Sequence, residues 1–373
     1  MIYLLLTWLV APVLWLRLAL GGRPAQRRIL VIQTAKIGDF VATTPVFRAL
    51  RQRRPDAEIV ALLHPVNLPL ARGVKSIDRT VALPDGGFRA WAGKLWLYRL
   101  LRGGFDAVIV LSPNLSTYLV PFWAGVPTRI SVLPDRRQGS TRLAWPFLSH
   151  GEPHLAGHLF RETALRSLGG LGLTIDGDLL ATASQVSVAD VPQNLHKILP
   201  QKTAGEALVG LGLGAGNRMK ALSADQWLVL ARELLAIPVS RLVLIGTADD
   251  REAAQELLSQ LPPARILDTT GLFNLSQLPA VLARLDCFVG VDSGATYLAD
   301  AVGVPVVDFM GPADADDQRP LGSAAAVIFS AEPCAPCSHA FDAPYRCRLG
   351  TRACIVNAPV VALAEAVKAI IRR

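Results

Sequence analysis

The chain has 373 residues, enough for two domains of ordinary size. Only 18% of them are charged and 51% are hydrophobic, which excludes long disordered tails. A formal charge of +8 suits an anionic partner such as lipid or a phosphorylated small molecule, whereas the lack of any basic run interleaved with aromatics leaves nucleic acid unsupported.

The first twenty residues, MIYLLLTWLVAPVLWLRLAL, are apolar except for Thr7 and Arg17, and Trp8 and Trp15 suit a bilayer interface. A cleaved signal peptide fits poorly, because no basic residue precedes the run and no small-residue cleavage site follows it. About sixteen residues precede Arg17, short of the ~20 that a spanning helix needs. A monotopic or re-entrant anchor therefore competes with a tilted span, and a helix packed on the protein itself is the third reading. In each membrane reading Arg17, Arg23, Arg27 and Arg28 stay on the cytoplasmic side.

Strand and helix then alternate. RILVIQ (28–33) is an apolar run rich in β-branched residues, and it leads through TAKIGDF into a helix around TTPVFRALRQRR and a second strand, EIVALL. DAVIVL (106–111) is another strand, and helical periodicity runs through HLFRETALRSLGGLG; His154 and His158, four apart, are read as one face of a helix, close to Arg161. That face is either solvated or turned toward an anionic acceptor. After a polar, proline-containing linker the pattern restarts with ALVGLGLG, a helix in SADQWLVLARELL capped by Ser223, and the strands RLVLIG, CFVGV and PVVDFMG. Such alternation predicts parallel sheets with helices on both faces, two halves with a cleft between them, and ligands beyond the carboxyl ends of the strands.

Three segments at those ends can carry chemistry. In TAKIGDF, Asp39 is either a general base or a helix cap, and Lys36 with Gly38 makes the same loop a possible site of anion approach. GLGAGNRMK (212–220) follows a strand; Gly214 and Gly216 free the backbone to face a phosphate and Lys220 adds charge, although the loop is neither a Walker loop nor a dinucleotide fingerprint. VGVDSGATYLADAVG sets Asp292, Ser293 and Gly294 at a helix start, where free N–H groups suit a diphosphate and Ser293 and Thr296 add hydroxyls. Finally, Cys334, Cys337, Cys347 and Cys354 read C-x2-C-x9-C-x6-C, a thiol set able to hold structural zinc or iron, with free packed thiols as the alternative; Cys287 reads as core.

Together RILVIQTAKIGDFVATTPVFRALRQRRPDAEIVALLH, GLGAGNRMKALSADQW and GVDSGATYLADAVGVPVVDFMGP resemble glycosyltransferase family 9, the heptosyltransferases of the lipopolysaccharide inner core. The resemblance implies a GT-B fold of two Rossmann-like domains, an inverting transfer that needs no cofactor, and ADP-heptose as donor, with an anionic membrane glycolipid as acceptor at the cytoplasmic face of the inner membrane. It makes Asp39 the base, Lys220 the phosphate-contacting lysine, and Asp292, Ser293 and Gly294 the donor-binding D-[ST]-G. Asp249, or its neighbour Asp250, falls near the donor ribose. Gln33, Tyr297 and Ala221-Leu222 depart from the family pattern, which bears on the donor sugar and the acceptor. The expected divisions are a membrane-associated helix over 1–22, an acceptor domain over 23–185, a linker over 186–204, a donor domain over 205–358, and a last helix over 359–373 packing back on the N-terminal domain. A sugar-nucleotide epimerase and a non-catalytic sugar-nucleotide-binding protein are the rival functions.

Overall fold

The computed structural model describes every residue except Met1, 22–25, 137–138, 200–201, 203–204, 238–239, 323 and 373, and of Ile2, Ser140 and Ser240 only the backbone. The chain forms two compact units, Met1–Thr182 and Ala183–Arg373.

In the first unit the order is α1 (Ile2–Leu20), β1 (Arg28–Gln33), α2 (Ile37–Arg53), β2 (Glu58–Leu63), α3 (Leu68–Ala71) and β3 (Arg79–Ala82). Then come α4 (Trp91–Leu101), β4 (Ala107–Val110), α5 (Leu115–Trp123), β5 (Thr128–Leu133), β6 (His150–Pro153), α6 (Phe160–Arg166) and α7 (Gly177–Leu180). The second unit holds α8 (Leu195–Ile198), β7 (Ala207–Gly212), α9 (Ala224–Leu235), β8 (Ser240–Ile245), α10 (Arg251–Gln260), β9 (Ile266–Asp268) and α11 (Leu278–Leu282). It continues with β10 (Cys287–Val291), α12 (Gly294–Ala301), β11 (Val306–Met310), β12 (Ala325–Phe329), α13 (Ala353–Val356) and α14 (Val360–Ile371).

Each unit carries one six-stranded sheet, ordered β3-β2-β1-β4-β5-β6 and β12-β11-β10-β7-β8-β9. All the named strand pairs are parallel. Numbered within its own unit, the second sheet has the same order as the first, the doubly wound Rossmann arrangement. Strands β1, β4, β7 and β10 sit centrally and are buried on both faces, so their sequences read as unbroken apolar runs rather than alternating ones. The expected α/β architecture is thus present twice. In each sheet the chain reverses its direction of winding between the first and fourth strands, at β1/β4 and at β7/β10.

Two expectations are corrected. The final helix was to pack back on the N-terminal domain; instead Leu363, Ala364 and Val367 of α14 lie fully buried in the core of the second unit with Trp227, Leu230 and Leu234 of α9. Lys368 adds a 3.0 Å ion pair to Glu233. Nor do His154 and His158 share a helix face. Helix α6 starts only at Phe160, after strand β6 and the positive-φ turn at Gly157, and His154 is a buried residue whose Nδ1 lies 2.9 Å from Thr163 Oγ1.

Helix α1 is as apolar as its sequence promised, but it lies along the first unit. Leu4, Thr7 and Ala11 are buried against Tyr118, Leu119 and Phe122 of α5, with Leu14 and Leu18 packed beside them. Those positions recur at helical spacing and form one seam along the helix. Trp123 Nε1 donates a 2.8 Å hydrogen bond to Thr7 Oγ1, which explains the one threonine in the apolar run.

Candidate active site

In the first unit the functional loop is held from beneath. Gln33, the last residue of β1, is fully buried; its Oε1 accepts from Ala35 N–H at 3.2 Å and from the Ser112 hydroxyl, and its Nε2 donates to Thr43 Oγ1 at 3.0 Å. Ser112 Oγ in turn accepts the Thr34 N–H at 3.0 Å, and Asn67 Nδ2 donates to Ala35 O at 2.8 Å. This network fixes the turn that leads from β1 into α2, directly beside β4, at the strand ends where open parallel sheets bind ligands. The N-cap position of α2 belongs to Lys36, which makes no side-chain capping bond, so Asp39 is not a helix cap. Asp39 is the third helical residue, half-buried, and favoured there by the positive end of the helix dipole. Lys36 is exposed and Gly38 half-buried at the same turn.

The second unit repeats the placement with different chemistry. Lys220 ends the short 3-10 turn Arg218–Lys220 after β7, and Asp292 follows β10, so their ion pair bridges the sheet at its point of reversal. Both side chains are largely buried, at 15% and 11% exposure, where an ion pair is little screened. The other carboxylate oxygen of Asp292 lies 2.9 Å from Tyr297 Oη. Burial first, then the neighbouring carboxyl groups of Asp292 and Asp308, hold the Tyr297 phenol well above its usual pKa, so it stays a neutral donor. Ser293 is the N-cap of α12, makes no side-chain capping bond, and leads into Gly294, so the first N–H groups of an eight-residue helix open beside Lys220.

The model for glycosyltransferase family 9 (heptosyltransferase) matches residues 95–344. Lipopolysaccharide heptosyltransferase 1 of Pseudomonas aeruginosa is 32% identical over 324 residues, covering 83% of this chain and 86% of that protein. Lipopolysaccharide heptosyltransferase 2 of Escherichia coli K12 is 26% identical over 328 residues, covering 81% of this chain and 87% of its own length. Among solved structures, E. coli ADP-heptose lipopolysaccharide heptosyltransferase II superposes with a TM-score of 0.69 at 21% identity, covering 92% of this chain and 98% of that one. The chain belongs to glycosyltransferase family 9. It is a glycosyltransferase of GT-B fold.

Set in this family, several expected contacts change meaning. Thr296 was expected to offer its hydroxyl to the donor, but it is fully buried and donates to Val291 O at 2.7 Å, so it shapes the start of α12 instead. Gly214 is needed for a close approach: a Cβ there would meet Asp250 Oδ2 at 2.4 Å, whereas one at Gly216 would meet open space. Of the paired acids, Asp250 is buried and committed to Thr247 N–H at 2.8 Å and Arg218 Nη1 at 2.8 Å. Asp249 is exposed. Gln33, which departs from the family pattern, is fully buried and spends its amide on Thr43, Ala35 and Ser112, beneath the turn that carries Asp39.

The cysteine segment braces the loops after β7 and β11, a role that no sequence pattern announced. Asn217 Nδ2 donates to Pro344 O at 2.8 Å, Arg352 Nη2 donates to Ala221 O at 2.7 Å, and the N–H groups of Cys337 and Ser338 bond to Pro312 O. His339 Nδ1 lies 2.9 Å from Asp314 Oδ2 and 3.5 Å from Asp317 Oδ2, clamping the turn after β11. Cys347 Sγ accepts the Arg352 N–H at 3.4 Å, and this and neighbouring N–H groups lower its thiol pKa. Burial and then the neighbouring thiols raise those of Cys337 and Cys354, so the four sulfurs share one neighbourhood. Cys287 is buried in the core, as read.

Beneath this site lies an acid that the sequence did not single out. Asp308, central in β11, is fully buried, and its two carboxylate oxygens have no hydrogen-bond partner among the described residues. Burial, then the Asp292 charge, raise its pKa well above the usual carboxylate value against the opposing pull of Lys220. The folded protein therefore holds a proton on Asp308 that the unfolded chain releases above about pH 4. Stability contributed this way is present at low pH and lost as pH rises through the window between the unfolded and folded values. Asp308→Asn should thus match the parent in melting temperature near pH 4 and exceed it at neutral pH, by roughly 1–3 kcal/mol of stability. A pH series of thermal melts checks this, and a gain that does not grow with pH would refute it.

Proposed function

We propose that the protein transfers heptose from ADP-heptose, with inversion, onto a lipopolysaccharide-core-like glycolipid at the cytoplasmic face of the inner membrane. The observation that carries the reading is the Lys220–Asp292–Tyr297 constellation at the reversal point of the second sheet, beside the open start of α12. Lys220, Ser293 and the N–H groups at Gly294 and beyond hold the departing diphosphate, with Gly216 leaving the backbone accessible and Asp249 reaching the ribose. Asp39 takes the proton of the acceptor hydroxyl, whose oxygen attacks the anomeric carbon opposite the departing diphosphate. The names of the relatives support heptose and the lipopolysaccharide acceptor.

Purified protein is to be incubated with ADP-heptose and with lipopolysaccharide from a heptose-deficient strain. ADP release that requires the acceptor, together with a mass gain of one heptose on the lipid, is expected. Conversion of the donor sugar without acceptor would point to an epimerase, and tight ADP binding without turnover to a binding protein.

The cysteine cluster fits a structural metal in its donors, four thiols with N–H groups at Cys347, and such an ion would stiffen the segment that braces Lys220. Among the described residues the group already gathered within 4.8 Å is Asp314, Asp317 and His339, so the sulfurs would have to draw together around an ion. Zinc or iron in the purified protein, and a loss of roughly 2 kcal/mol or about 4–8 °C in Tm on chelation or in Cys347→Ser, is the expected result. Metal-free protein that melts unchanged after chelation would remove this reading.

A further inference from the structure

Helix α1 carries two apolar stripes. One is the seam seated on α5. The other, Leu5, Leu9, Val13, Leu16 and Leu20, recurs at the same helical spacing and is 61–79% exposed. A helix that faces water on its free side would be polar there, so this stripe calls for a second apolar medium. The exposed surface does not stop at α1. Tyr3 packs edge-on against Trp91 of α4, with ring centroids 5.9 Å apart, and Trp91 and Leu95 are themselves 66% and 40% exposed. On the other flank Trp8 and Trp15 contact Phe147, with centroids at 4.8 and 5.7 Å, and Leu143 of the adjoining 3-10 stretch is 53% exposed.

Charge decides what this surface meets. No Asp or Glu occurs in residues 1–38, 86–105 or 136–151, the three stretches that build the face and its surroundings, whereas they contain Arg17, Arg89, Lys94, Arg99, Arg102 and Arg142. A second copy of the same face would set like charges together. A leaflet with anionic headgroups meets both the cations and the apolar stripe, with aromatic side chains at the depth they favour.

We propose that α1, α4 and the 139–147 stretch form one platform that seats the first unit flat on an anionic leaflet, with α1 lying in the membrane plane and not crossing it. Crossing would strip Leu4, Thr7 and Ala11 from α5 and break the Thr7–Trp123 bond. This rests on the membrane-acceptor reading and gives it a geometry: the unit that carries Asp39 is the one held against the surface from which a lipid acceptor emerges.

The test is sedimentation of the full-length protein with phosphatidylcholine vesicles, with and without phosphatidylglycerol. The double variant Trp91→Ser/Leu95→Ser is chosen because both side chains are exposed and its fold can be verified by an unchanged melting temperature. Binding that needs phosphatidylglycerol, weakens with salt, is released by alkaline carbonate and falls about tenfold in the variant is expected. Undiminished binding by the variant, resistance to carbonate, absence of binding to either vesicle, or a dimer in solution that the variant abolishes would each overturn the platform. Activity on detergent-dispersed acceptor separates the two readings, because loss of the platform leaves that activity intact, whereas failure of the proposed transfer abolishes it in the parent protein too.

Discussion

Asp39→Asn is expected to lower kcat by about 10²–10⁴ while leaving ADP affinity and the fold unchanged. The substitution keeps the shape of the side chain and removes its capacity to accept a proton. The backbone contact at this position, Thr43 Oγ1 to Asp39 O at 2.8 Å, uses the main-chain carbonyl and survives. Lys36 and not Asp39 occupies the N-cap of α2, so the N-cap residue is untouched, and loss of the carboxylate's interaction with the helix dipole costs about 0.3–1 kcal/mol. Steady-state kinetics with calorimetric ADP titration separates the effects. Turnover at the parental rate would remove Asp39 as the base, and a matching loss of ADP affinity would mean that its charge serves the donor instead.

Much of the frame behind this prediction was legible in the order of residues. RILVIQ, ALVGLG and CFVGV are buried on both faces, and a strand in that setting shows itself as an unbroken apolar run; the turns after them carry Asp39, Lys220 and Asp292 because strand ends at a reversal point leave backbone and side chains open. What stayed hidden was set by contacts distant in sequence. Gln33 reads as a substitution at a ligand position until Ser112, from the end of β4, is seen beside it. Asp250 and Asp249 are alike in sequence, and only the partners Thr247 and Arg218 tell them apart. Asp308 sits in an apolar strand pattern that gives no sign of an acid without a partner. Helix α1 is apolar all round, so periodicity could not say which face is seated and which is bare. His154 was misplaced because the helical spacing that follows it was extended back across the Gly157 turn to a residue that directly follows β6.

Lys220→Met should cost about 10²–10³ in kcat/KM, the range found when one group that stabilises developing charge is removed. In the structure Lys220 is already paired with Asp292, so under the proposed mechanism the donor diphosphate competes with that carboxylate for the ammonium, and Tyr297 keeps Asp292 supplied with a hydrogen bond when the competition succeeds. The same arrangement makes the variant unstable. With the cation gone, Asp292 is left as a largely buried charge close to Asp308, and removing one partner of such a pair costs about 3 kcal/mol. The second substitution Asp292→Asn, made in the Lys220→Met background, should therefore restore most of the melting temperature and none of the turnover. Stability and catalysis would then be carried by different halves of one ion pair: the carboxylate is tolerable only with the lysine present, and the lysine acts on the departing diphosphate. Recovery of both stability and kcat/KM in the double variant would show that Lys220 matters only for neutralising Asp292, and the diphosphate would have to be held by the start of α12 alone.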